Sequence, residues 1–364
     1  MKIVLKNGHV YDKRAGLDQI SHLIVEHGRI AGFGDSEEDG DVVIDCRGRY
    51  VIPEIIDMHT HCFSGSTNLG VDKNRLGLLQ NIGTIVDAGS AGAEHFELFR
   101  QQAKQTPGTR VYAFINYSKI GLTRDKLELS REEYFDEEGL GQTIRENPDV
   151  IRGIKLRASA SVVGELGMKP IRKGLEFAHK MGLPAMVHIG NCPPSIEEVL
   201  EVMKAGDIVT HSFHGKAGGI LDGRKVKREV WEARERGVLF DVGHGSASFD
   251  AGTAEAAIAE GFLPDLVSSD SHARNFQKTI SGFAMILNRL AECGMTWRQI
   301  FDCVTGNAAE VLRIPGQIRN GEEARLNLAS VDQSGALTVE GLVLGEMIRL
   351  GGTDGKNGCG RDCK

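Results

Sequence analysis

Eight apolar, β-branched runs alternate with segments of helical composition through the middle of the chain, and shorter strand-like runs sit at both ends. The alternation is the signature of repeated βα units on a parallel sheet. These observations predict an α/β protein: a (β/α)8 TIM barrel over 53–314, with a small β-sandwich domain built from both termini, 1–52 and 315–350. The segment 351–364, rich in glycine and almost without apolar residues, is expected to be a flexible tail.

Near the start, Ile3, Val4 and Leu5 precede Asn7-Gly8, a strong hairpin signal, and His9, Val10 and Tyr11 follow it. A second strand pair turns at His27-Gly28, and 42–45 gives a further strand. These strands are too few and short to bury a core alone, so they need partners. The strand-like segments 325–329 and 341–350 are the natural ones. Between them the eight runs end near Asp57, Asp87, Asn116, Lys155, His188, His211, Asp241 and Asp270, with helical segments such as 196–204 and 227–236 between most of them. Their combined length, about 260 residues, suits a barrel of this kind. A doubly wound open sheet would want a glycine-rich phosphate loop after its first strand, and His59-Thr60-His61 stands there instead.

Composition narrows the class. With 364 residues, 41% hydrophobic and 26% charged, the chain is an ordinary globular protein long enough for one large core and a small one. A formal charge of −7 argues against nucleic acid as a partner. No apolar run spans a bilayer and no signal-peptide pattern opens the chain, so no membrane association is expected. The seven scattered cysteines fit reduced thiols in the cytoplasm. A homo-oligomer is left open.

In an extended segment residues i and i+2 point to one side, so His59 and His61 face one point, an arrangement suited to a metal ion. Alone, the pair fits a solvated strand edge equally well. Of twelve histidines, however, His59, His61, His188, His211, His214, His244 and His272 lie at or just after a predicted strand's C-terminal end, the rim where barrel active sites are built. His95 and His179 read as helix-face histidines.

From the terminal strands through Pro53-Glu54-Ile55-Ile56-Asp57-Met58-His59-Thr60-His61, Lys155, His188, His211 and Asp270, nearly the whole chain resembles the amidohydrolase superfamily, in its dihydroorotase-like or deacetylase-like branch. The resemblance implies two divalent metal ions, with His59 and His61 on one, His188 and His211 on the other, and Asp270 beside the first. It also implies that Lys155 is carboxylated by carbon dioxide and bridges them. Imidazole and carboxylate ligands fit zinc first, with manganese or iron as alternatives.

The chemistry agrees with these residue types. Two ions in such a site acidify a shared water. A carbamate on Lys155 is an anion where an ammonium would repel the ions; the bland alternative is a snorkelling surface lysine. Asp270 can take a proton from the attacking water and pass it to the leaving group, though an aspartate here can also cap a helix, a role open to Ser271. Asp241 and His244 read as supports for the ligands, Cys62 as a packed side chain and Cys192 as a loop thiol near the mouth. His214 reads either as a substrate donor or as a structural loop histidine.

The implied function is hydrolysis of an amide or ester in a small-molecule substrate. A deaminase, which usually has one metal and a glutamate acid, a lactonase, and a relative without activity are the alternatives. Dihydroorotases place an arginine two residues after H-x-H to hold the substrate carboxylate; this chain has Phe63 there, so dihydroorotate is not expected to be a substrate. Arg157, Lys216 and Arg274 cluster near the rim as candidate carboxylate contacts, with Phe63 as an apolar wall. Each cation taken alone also fits ordinary loop charge. The chain departs from the family pattern at Glu54, where a small glycine is usual, and at Arg325, in place of the aspartate of an Ala-Asp-Leu strand. Cys359 and Cys363 in the tail could bind metal or cycle redox state, but with only two thiols and no histidine nearby a mobile tail is the favoured reading.

Overall fold

The computed structural model describes residues 1–351 apart from 36, 106–107 and 125–126. The tail expected from 351, with Cys359 and Cys363, otherwise lies outside the described residues. No described helix is long and apolar enough to cross a membrane.

Five strands open the chain: β1 (Lys2–Asp12), β2 (Leu17–Glu26), β3 (Arg29–Gly34), β4 (Val42–Asp45) and β5 (Arg49–Pro53). The expected hairpin at Asn7-Gly8 is instead a bulge within β1. The register slips between Leu5 and Gly8, and Asn7 sits at φ 59°. The glycine answers to packing, since a Cβ there would lie 2.6 Å from Val51 Cγ2 on β5. His27-Gly28 does turn β2 into β3, both residues at positive φ as a tight primed turn requires.

A parallel sheet follows: β6 (Ile56–Thr60), β7 (Thr84–Ala88), β8 (Arg110–Asn116), β9 (Ile151–Ala158), β10 (Ala185–Ile189) and β11 (Ile208–Thr210). After the small hairpin of β12 (Leu221–Asp222) and β13 (Lys225–Val226) comes its last strand, β14 (Leu239–Asp241). The order is β14-β11-β10-β9-β8-β7-β6, a curled sheet of seven strands. The predicted eighth run is not a regular strand. Leu266 bridges Asp241 on β14 and Ser271 bridges Thr60 on β6, so the segment touches both ends of the sheet. Asp270 within it has φ 48°, which an extended strand does not allow. Predicted helices appear at Ile196–Val202, opened by a Ser195/Glu198 capping box, and at Arg228–Glu235.

Alternate side chains on one face of this sheet form an apolar layer that includes Phe114, Met186 and Ile208, packed below against the helix Gly306–Leu312. Two residues further along the same strands stand Asn116, His188 and Thr210. Gly153 makes room for this layer: its Cβ would meet Phe114 at 2.1 Å. The polar site therefore rests on a packed floor.

The chain ends in β15 (Arg325–Val331), β16 (Leu337–Leu344) and β17 (Met347–Leu350). The segment 341–350, expected as one strand, is a hairpin turning at Gly345, φ 60°. As expected, strands from both termini pair: β15 runs antiparallel to β5. They join into one eight-stranded sheet, β17-β16-β15-β5-β1-β2-β3 with β4 on β1, where the sequence predicts a sandwich. The long β1 pairs with β4 along its first half and β5 along its second, so hydrogen bonds run through the whole set.

The two departures from the family pattern meet here. Glu54 is 3% exposed, and its carboxylate receives both Nε and Nη2 of Arg325, the latter at 2.6 Å, with the Thr84 hydroxyl donating at 3.2 Å. Gly83 is required beside them, because a Cβ would lie 2.2 Å from Glu54 Oε2. The pair ties the terminal sheet to the start of β6 and β7. Removing Arg325 strands the buried Glu54 carboxylate, so Arg325→Ala should cost about 3 kcal/mol of stability, and Glu54→Ala less, since Arg325 keeps Glu323 at 3.2 Å. Chemical denaturation of the double Glu54→Ala/Arg325→Ala variant should show a loss clearly smaller than the sum of the singles.

Candidate metal centre

His59 and His61 lie at the end of β6, where the register against β7 shifts between Asp57 and Thr60. Their Nε2 atoms stand 3.4 and 3.3 Å from Asp270 Oδ1. One ligand atom from each of the three residues can be chosen so that all lie within 4.8 Å of one another. The hydrogen-bond directions decide what the imidazoles offer. Thr210 donates its single hydroxyl proton to Asp241 Oδ2 at 2.7 Å, so at 2.9 Å it accepts from His59 Nδ1–H. That leaves His59 Nε2 as a bare lone pair facing a carboxylate oxygen. Two acceptors held this way call for a cation, and the residues fit a metal ion. His61 Nδ1 is likewise engaged, by Ser90 Oγ at 2.9 Å.

The other predicted ligands adjoin this group. His211 directs Nδ1–H to the Gly243 carbonyl at 2.6 Å, which frees its Nε2. Its ring centroid lies 4.3 Å from that of His188 and 5.1 Å from that of His59. Lys155 is 1% exposed, with Nζ 3.4 Å from His59 Nε2. Burial, helped by the neighbouring cations, pushes His59 and His188 well below the usual histidine range. Burial lowers His211 to about 4 and Lys155 to about 7 against the pull of Asp270. Burial thus favours the neutral imidazoles of His59, His188 and His211, the protonation state that ligates metals. Burial alone would raise the Asp270 carboxyl, but the His61 hydrogen bond and surrounding imidazoles hold it below the ordinary carboxylate range.

Backbone conformation contributes to this placement. His211 and Asp270 both occupy the left-handed region, at φ 75° and 48°, where non-glycine residues cost of order 1 kcal/mol. Two glycines accommodate them: a Cβ on Gly243 would lie 2.7 Å from His211 Nδ1, and one on Gly245 2.7 Å from Asp270 Oδ2. Gly89 similarly yields to Lys155, whose Cβ a side chain there would meet at 2.7 Å.

The remaining candidates separate. Phe63 is not a wall of the mouth: it is 0% exposed and packs edge-on against Phe99, centroids 5.5 Å apart, because its side chain turns outward into the apolar core. Arg157 stands beside His188 in the strand register, and its Nη1 donates to both oxygens of Glu128 at 3.0 and 3.1 Å. His214 is buried; Nδ1 accepts from the Lys216 backbone N–H at 3.1 Å, and Nε2 has no hydrogen-bond partner among the described residues. Lys216 and Arg274 are exposed loop residues. Asp241 supports His59 through Thr210, as expected. His244 binds the Arg289 guanidinium at 3.1 Å and stacks on Phe249. Cys62 is buried and Cys192 exposed.

Sequence reasoning assigned no role to Asp57, Asp87, Ser90, Thr210, Ser269 or Glu128. Asp57 accepts the backbone N–H groups of Ser269 and His59 at 3.0 and 3.2 Å. Asp87 accepts those of Cys62 and Ser90, each at 2.8 Å. Burial pushes the Asp57 carboxyl up to about 7 against its hydrogen bonds from Ser269 and His59, and Asp241 up to about 6 against those from Thr210 and Ser268. The available signal was an aspartate repeated at three strand ends.

No family model matches the chain. A deacetylase of Agrobacterium fabrum is 33% identical over 309 residues, 84% of this chain and 76% of its own length. A deacetylase of Enterococcus faecalis is 34% identical over 290 residues, 78% of each chain. Among solved structures, a dihydroorotase and an adenine deaminase each superpose with a TM-score of 0.85 at 29% identity, over 96% of this chain and 98% and 99% of theirs. A D-hydantoinase at 16% identity, TM-score 0.68 over 97% of this chain and 96% of its own, shares the fold. Similarity of this extent to named deacetylases, on one shared fold, means that the chain belongs to the amidohydrolase superfamily and is a hydrolase.

Proposed function

We propose that this enzyme cleaves an amide or ester bond in a small acyl compound bearing a carboxylate, with Asp270 as general base and then general acid. The observation that carries the reading is the convergence of His59 Nε2, His61 Nε2 and Asp270 Oδ1 on one point, with His59 Nε2 left as an acceptor by the Thr210 hydroxyl. On this reading the seven-stranded sheet is completed as a (β/α)8 barrel by the segment containing Asp270. His59, His61 and Asp270 would hold one divalent ion, and His188 and His211 a second. Lys155 would be shared between them once its neutral amine, available at a pKa of about 7, adds carbon dioxide and loses a proton. Zinc suits this donor set best. Bound ions supply hydroxide near neutral pH and polarise the scissile carbonyl.

The protein's own groups do the rest. Thr210 and the Gly243 carbonyl fix which nitrogen of His59 and His211 faces inward, and Ser90 orients the His61 ring. Asp270, held ionised, takes a proton from the attacking water and returns it to the departing nitrogen or oxygen as the C–N or C–O bond breaks. Arg157, His214, Lys216 and Arg274 are the candidate contacts for the substrate's polar end. The likeness to an adenine deaminase structure favours a second reading, a deaminase, so adenine belongs in the substrate panel, together with a simple lactone.

Purified from cells grown with zinc and bicarbonate, the protein should contain about two divalent ions per chain. Lys155→Ala should lower metal content and turnover together; if both survived, the bridging carbamate would be wrong. Asp270→Asn should retain the fold while lowering kcat by about 10²-fold or more, and equal turnover would remove Asp270 from proton transfer. Dihydroorotate should be hydrolysed negligibly in a direct absorbance assay, because position 63 offers no guanidinium. Rapid turnover would overturn that exclusion.

A further inference from the structure

Among the cations near the mouth, Arg157 has a distinctive attachment. It lies two residues after Lys155, hence on the same face of β9, and pairs in register with His188 on β10. Its side chain is 25% exposed, whereas Glu128, its partner, is 0% exposed. Only Nη1 is engaged: it donates to both Glu128 oxygens, at 3.0 and 3.1 Å. Nε and Nη2 make no hydrogen bond among the described residues, and neither is one of the buried polar atoms left unpaired. They are therefore open to solvent.

The choice of nitrogen matters. A guanidinium receives a carboxylate side-on through parallel N–H bonds from Nε and Nη2. A partner on Nη1 leaves that edge complete while removing most of the rotational freedom of a long side chain. Glu128 is also sealed from solvent, so its charge does not project into the mouth to repel an anion.

We propose that Glu128 is a positioning residue for acid recognition: it anchors Arg157 by Nη1 so that the Nε/Nη2 edge receives the substrate carboxylate beside His188. The assignment rests on the hydrolase reading above and specifies how that site selects acids. Lys216 and Arg274 lie on exposed loops and show no such ion pair among the described residues.

The test compares acids with their neutral counterparts: N-acetylphenylalanine and O-acetyl-3-phenyllactate against the methylamide of each, using the zinc-loaded full chain. Glu128→Gln should lower kcat/KM for the acids about 10-fold through KM, with kcat, zinc content and methylamide hydrolysis held. Glu128→Asp should recover part of the loss. Arg157→Met alone would take this guanidinium from the buried Glu128 carboxylate, so it is made with Glu128→Gln, and this double variant should lose the preference for acids entirely. A melting temperature lowered by Glu128→Gln with an unchanged acid-to-methylamide ratio would mean a purely structural ion pair and overturn the proposal. An unchanged ratio in the double variant would do the same. If the wild type hydrolyses none of the four compounds, the hydrolase reading with these substrates fails separately, and binding still reads the acid site. In that case 3-phenyllactate should raise the wild-type melting temperature more than its methylamide does, and the difference should vanish in Glu128→Gln. Equal shifts in wild type and variant would reject the role of Glu128.

Discussion

An imidazole has two ring nitrogens, and a site that needs one as a bare lone pair must occupy the other. Most of the polar architecture at the sheet's C-terminal edge follows from that constraint. Asp241 takes the Thr210 proton, Thr210 therefore accepts from His59, and His59 is left with Nε2 as an acceptor beside Asp270. The Gly243 carbonyl sets His211 in the same way with a single bond. Once the tautomers are fixed, burial completes the preparation by disfavouring protonation of the cluster. The acids beneath also serve the backbone. Asp57 and Asp87 gather the N–H groups of the residues around the ligands, satisfying donors that regular strand pairing leaves unpaired where the chain departs from the ladder.

The same constraint explains why the eighth run does not continue the sheet. A regular strand would send Asp270 along the ladder; the left-handed φ turns its carboxylate toward His59 and His61 instead. Hydrogen bonds from Asp270 N–H to the His59 carbonyl and from Asn275 to the Asp270 carbonyl hold that conformation from both sides. Gly245 accepts the displaced carboxylate because it has no Cβ to collide with it. Local strain here is supported by neighbours on β6, β14 and the loop beyond.

How much of this was legible in the sequence depends on its range along the chain. Strand ends read well, because a β-branched run closing on a histidine, lysine or aspartate combines two local signals, whereas the grouping of six of them as ligands came from the family resemblance. Asn7-Gly8 misled because the same dipeptide serves a hairpin or a bulge, and the deciding contact with Val51 lies 43 positions further along the chain. Glu54 and Arg325 each read as a defect; 271 residues apart, they become intelligible only as partners. Glu128 carried no signal at all, since its meaning resides in the guanidinium it faces.

At position 63 the scaffold, beyond the residue type, decides where a side chain goes. Phe63 is wedged against Phe99, which in turn packs on Phe96, with all three rings fully buried or nearly so. An arginine placed on this backbone would be carried into the same apolar contact, where a guanidinium without a partner is costly to bury. On the proposed reading, a substrate carboxylate would therefore be held from elsewhere on the rim. β9 is well placed to hold it, because its inward face presents Lys155 and then Arg157, one rung nearer the solvent and already anchored at one end.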